Sequence, residues 1–153
     1  MSLPYRKILV PLDGSEIANQ AIPHAEELAH QSGAELILLR VVPNTSQQVG
    51  LTLEMLMEYV EKNHQRELVE QAVQFLERLT ESFQHRHIKA QTVVDVGEAA
   101  AKILDYAVHH TPDLIVMSTH GRTGLARWSY GSVTAKVLQA APCPVLLVRS
   151  QLG

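Results

Sequence analysis

The chain has 153 residues, enough for one domain with a proper core. Hydrophobic residues make up 46% and charged residues 19%, as in a soluble globule; a net charge of -3 gives no reason to expect nucleic acid as a partner, and no apolar run approaches a membrane span. One cysteine, Cys143, excludes an internal disulfide and fits a reducing cytoplasm, and the N-terminal apolar run, which stops at Asp13, does not read as a signal peptide.

Lys7 to Leu12 (KILVPL) reads as a short strand, apolar on consecutive positions and therefore covered on both faces. Asp13-Gly14-Ser15 ends it. A helix should follow, with Ala18, Ala21, Ile22, Ala25, Leu28 and Ala29 on one face. Asp13 stands three before Glu16, the spacing of a capping box. Pro23 removes one backbone hydrogen bond and should kink this helix. Gly33 suits its C-terminal end.

Ala34 to Val42 is a second dense apolar strand, stopped by Pro43. Asn44 to Gly50 reads as a loop. Leu53 to Phe83 is helical in pattern, with Leu68, Ala72, Leu76, Leu79 and Phe83 as its stripe. The earlier part, with Leu53, Leu56, Met57 and Val60, is expected to be a separate turn or a bent extension, since the whole exceeds an average helix. Ile88 to Val96 alternates, as a half-exposed edge strand does. Gly97-Glu98 leads into a helix carrying Ala100, Ile103, Leu104 and Ala107.

Leu114 to Ser132 (LIVMSTHGRTGLARWSYGS) organises the chain. It opens as a buried strand, breaks into a loop holding Gly121 and Gly124, and ends at Gly131-Ser132, where a helix begins. Backbone N–H groups in such a loop, together with a helix N-terminus, can hold a phosphate. From Leu114 onward there is no acid but there are four basic residues, Arg122, Arg127, Lys136 and Arg149; the remainder carries nine basic and sixteen acidic side chains. The first turn after Ser132 has no acid to offset the helix dipole, which leaves that end for an outside anion. Val133, Val137, Leu138 and Ala141 form the last helical stripe. Pro144 to Val148 is the last strand, and Cys143 beside it reads as a small buried hydrophobe.

Strict alternation of strands and helices predicts an α/β fold: one doubly wound, five-stranded parallel sheet with helices on both faces. Ligands of such sheets bind beyond the carboxyl ends of the strands, where strand order reverses. Loops after the first, second and fourth strands would converge there. His85 and His87 have no further ligand cluster, so no metal site is expected.

The stretches KILVPLDGSE, AELILLRVV and DLIVMSTHGRTGLARWSYGSVTAKVLQAAPCPVLLVR together resemble the universal stress protein family, over essentially the whole chain as a single domain, 1–153. The family's nucleotide signature is G-x2-G-x9-G-[ST]. Gly121, Gly131 and Ser132 match it, and Ser118 replaces its first glycine. The resemblance implies sheet order 3-2-1-4-5, a homodimer paired through the last strand, and ATP or another adenine nucleotide, with or without Mg2+. It also implies roles. Asp13 would contact the nucleotide near the ribose, the Val41 backbone would bond adenine, and the glycine loop and following helix start would hold phosphates.

The candidate nucleotide-binding set is therefore Pro11, Leu12, Asp13, Val41, Met117, Ser118, His120, Gly121, Arg122, Gly124, Gly131, Ser132, Val133 and Thr134. No catalytic residue is assigned. Asp13 is the only cleft acid, and no P-loop pattern G-x4-G-K-[ST] is present. Binding by a cytoplasmic stress-response signalling module thus outranks its alternatives, a slow ATP hydrolase or a dimeric interaction module with a vestigial nucleotide site.

Overall fold

The computed structural model describes residues 4–45, 54–119 and 131–150. Five strands form one parallel sheet: β1 (Lys7–Pro11), β2 (Glu35–Val42), β3 (Ala90–Val96), β4 (Leu114–Thr119) and β5 (Val145–Arg149), in the order β3-β2-β1-β4-β5. The helices are α1 (Glu16–Asn19), α2 (Ala21–Ser32), α3 (Glu54–Gln84), α4 (Ala99–His110) and α5 (Ser132–Ala140). Among the described residues no helix is long and apolar enough to cross a membrane.

Two cores sandwich the sheet because successive strand residues point to opposite faces. Ile8, Val10, Leu36, Leu38, Leu114 and Val116 pack with Ala21, Ala25 and Ala29 of α2 and with Leu76 and Phe83 of α3. Leu9, Ile37, Leu39, Ile115 and Met117 pack on the other face with Ile103 and Ala107 of α4 and Val137 of α5. The dense apolar runs of β1, β2 and β4 are what double coverage requires.

Four expectations need correction. The helix after β1 is two helices, α1 and α2, parted at Gln20. Pro23 is the cause: it has no N–H to offer the carbonyl of Asn19, four residues back, and α1 stops at that residue. The Asp13 capping box does not form. Ser15 is the N-cap, and its hydroxyl accepts from the Ala18 amide at 3.1 Å. Finally, α3 is one continuous helix of 31 residues, about 46 Å long at ~1.5 Å per residue, since no Pro or Gly interrupts it. Leu53 and the Leu56 side chain lie outside the described residues. In the same stretch Met57 and Val60 are exposed, whereas Ala72, Leu76 and Phe83 are fully buried. Leu138, expected in the stripe of α5, is exposed as well.

β1 pairs with β4 at only two positions, Ile8↔Leu114 and Leu9↔Ile115, although β1 continues to Pro11 and β4 to Thr119. Beyond those pairs the two central strands part. This fork lies at their carboxyl ends, where strand order reverses.

Candidate functional site

A cleft of about 470 Å³ occupies the fork, within the usual range for small-molecule sites. Pro11, Leu12 and Asp13 line it from the exit of β1, Val41 from β2, and Met117 and Ser118 from β4. Gly131, Ser132, Val133 and Thr134 line it from the start of α5. His120, Gly121, Arg122 and Gly124 lie outside the described residues, as do Arg127, Trp128 and Tyr130. Among the described residues no cluster of three or more His, Cys, Asp or Glu could hold a metal ion.

The floor of the cleft is the top of the second core: Leu39, Ile103 and Met117 belong to both. Its apolar end is thus built from side chains the fold buries anyway. Sequence reasoning missed Leu39, Ile103, Ala99, Thr119, Ser15, Ile17 and Ala18. Leu39 had a usable signal, because it lies two residues before Val41 and so shares its face. Ala99 and Ile103, four apart on α4, would have needed the knowledge that α4 leans over the fork.

The end of β2 offers backbone groups. Leu39 accepts the Leu12 amide at 2.8 Å on the β1 side, and Val42 accepts the Gly97 amide at 2.9 Å on the β3 side. Backbone groups alternate sides along a strand, so the N–H and C=O of Val41 face the β1 side. The pairing of β1 with β2 stops at Pro11↔Leu39. The two groups therefore point over the end of β1, toward the cleft that Val41 lines.

Three helices begin beside the cleft, and they differ. Ser15 caps α1. Glu98 caps α4, where its carboxylate accepts from the Ala101 amide at 2.7 Å and the Ala100 amide at 3.3 Å. The Ala101 hydrogen bond is the main reason its carboxyl is held below the usual range. The start of α5 has no side-chain cap and no acid in its first turn. Its N-cap is Gly131 at φ +82°, a positive-φ conformation that side chains rarely adopt, and a Cβ there would meet none of the described residues within 4 Å. The amides of Ser132 to Thr134 thus open the positive end of a helix onto the cleft.

Asp13 is the one ionisable residue among those described lining the cleft. Its Oδ1 accepts the Ser15 amide at 2.8 Å. Cys143, away from the cleft, packs against the second core, and burial pushes its thiol pKa up.

The universal stress protein family model matches residues 4–149. The chain belongs to this family. Universal stress protein MJ0531 of Methanocaldococcus jannaschii is 35% identical over 145 residues, spanning 95% of this chain and 82% of that protein. The universal stress protein UspA from Lactobacillus plantarum superposes with a TM-score of 0.83 at 27% identity, covering 97% of this chain and all of that one. A family protein from Arabidopsis thaliana, solved with AMP bound, shares the fold at a TM-score of 0.65 and 19% identity, over 96% of this chain and 93% of that one.

Proposed function

We propose that the whole chain acts as one adenine-nucleotide-binding domain of a stress-response protein, with the fork as its site. The uncapped start of α5, open to the cleft beside an apolar floor, carries this reading. Phosphate oxygens would take the amides of Ser132 to Thr134, and the base would lie over Leu39, Ile103 and Met117. The N–H and C=O of Val41 offer one donor and one acceptor, which suit the ring nitrogen and amino group of adenine's pairing edge. Asp13 would accept from the ribose hydroxyls. The AMP held by the Arabidopsis relative supports the ligand class.

No single contact suffices. A phosphate at a helix start gains about 0.3–1 kcal/mol when exposed, whereas micromolar affinity corresponds to about -8 kcal/mol. Base burial and several phosphate bonds must act together. Hydrolysis is the weaker reading, because Asp13 is the sole carboxylate among the described lining residues and already accepts the Ser15 amide. The ligand is ATP or another adenine nucleotide, Mg2+ accompanying it as the triphosphate. Dimerisation through β5 belongs to the same proposal: β5 is an edge strand and Leu146 on it is exposed.

The test is the nucleotide content of purified protein, read by denaturation and chromatography, with thermal shift in millimolar ATP, ADP and AMP. Copurified adenylate or a clear shift is expected. Neither, in any of the three, overturns the reading and favours an interaction module. Sedimentation analysis tests the dimer.

A further inference from the structure

Three side-chain polar atoms among the described residues are buried without a hydrogen-bond partner: Asn19 Oδ1, Gln65 Nε2 and Ser118 Oγ. Only Ser118 belongs to a residue lining the cleft. A buried hydroxyl left unpaired costs about 1–3 kcal/mol, so native structures keep few of them. This one stands at the first glycine of the nucleotide signature, where the family pattern has no side chain. A hydroxyl that costs stability at a ligand wall has a reason to be there if the ligand satisfies it.

We propose that Ser118 is a ligand-contacting residue whose Oγ–H donates to an oxygen of the bound nucleotide, on its sugar or its phosphate. The proposal rests on the adenine-nucleotide reading of the cleft. One staggered rotation about the Cα–Cβ bond redirects the hydroxyl without moving the strand. Ser118 is anchored for this, since it lies in register with Val148 of β5 and follows the buried Met117. The serine then adds a directional bond where a glycine offers only close backbone approach.

The experiment measures affinity for AMP, adenosine and free adenine in the wild type, Ser118→Ala and Ser118→Gly, with melting of the free proteins alongside. Both variants should lose roughly tenfold in AMP affinity, the scale of one hydrogen bond to a charged or polar oxygen. Ser118→Ala should not melt lower, because an unpaired group has been removed; Ser118→Gly should melt slightly below Ser118→Ala, because glycine loosens a strand interior. Affinity for adenine, which carries no oxygen, should not change. A loss shared by adenosine assigns the bond to the sugar; a loss confined to AMP assigns it to the phosphate. Unchanged AMP affinity, an equal loss for adenine, or a clear fall in melting temperature of Ser118→Ala overturns the proposal. A wild-type protein that binds none of the three ligands removes the nucleotide reading itself, and this role with it.

Discussion

The Ser15 amide donates to Asp13 Oδ1 at 2.8 Å, while the Ser15 hydroxyl takes the amide of Ala18. The cap of α1 is therefore one residue and the acid facing the cleft another. Asp13→Ala should leave the fold intact, with only a small loss of melting temperature. Its affinity for AMP should fall by roughly tenfold or more if the carboxylate accepts from ribose hydroxyls. Titration calorimetry with AMP and 2′,3′-dideoxy-AMP checks this, since the dideoxy compound should not distinguish the variant from the wild type.

Gly131→Val should abolish nucleotide binding. At φ +82° and ψ 157°, a region essentially confined to glycine, an added side chain costs about 1–3 kcal/mol of backbone strain. It meets no described neighbour within 4 Å, and Gly131 lines the cleft, so the branched side chain would compete with an anion approaching the start of α5. Thermal melts with and without ATP separate the effects: a modest drop without nucleotide, and no recovery with it. Affinity equal to that of the wild type would remove α5 from the site.

Acid should weaken the fold through Asp113. Its Oδ2 accepts the amides of Arg6 at 2.7 Å and Lys7 at 2.9 Å, which hold its carboxyl below the ordinary value of 3.8. A carboxyl whose pKa is lower when folded contributes fully above its unfolded value. The contribution is lost as pH falls from there through the folded value. Denaturant midpoints should therefore decline below pH 3.8, and Asp113→Asn should flatten that decline while costing about 1–2 kcal/mol at neutral pH.

Cys143 should alkylate slowly. Burial raises its pKa, and the negative charge of Asp113 adds to the effect. Its rate with iodoacetamide at pH 7.5 should fall at least about tenfold below that of the unfolded chain. Equal rates would contradict the packing against the second core.

What sequence made legible follows physical lines. β1, β2 and β4 announced themselves because double burial leaves few polar positions, and the start of α5 beside the cleft followed from Gly131-Ser132. The break at Gln20 was misjudged as a kink, although the missing Pro23 N–H pointed to it. The capping box failed because Ser15 stands nearer the helix start than Asp13 and wins the same role. The apolar wall at Ala99 and Ile103 was hidden, since a helix that leans over a fork is a tertiary fact. Leu138 looked like core only because a stripe drawn from periodicity does not know its own width.

Two positions of pairing between β1 and β4 have a thermodynamic consequence. The opening exists because the strands themselves diverge, with Ile8, Leu9 and Ile115 fully buried below it. A guest need not prise the sheet apart or order its deep walls, so little reorganisation is subtracted from its binding energy. Any change that narrows the opening must shift whole strands against two packed cores. Its width should therefore be the same with and without a guest, and adjustment on binding should fall on side chains at the rim.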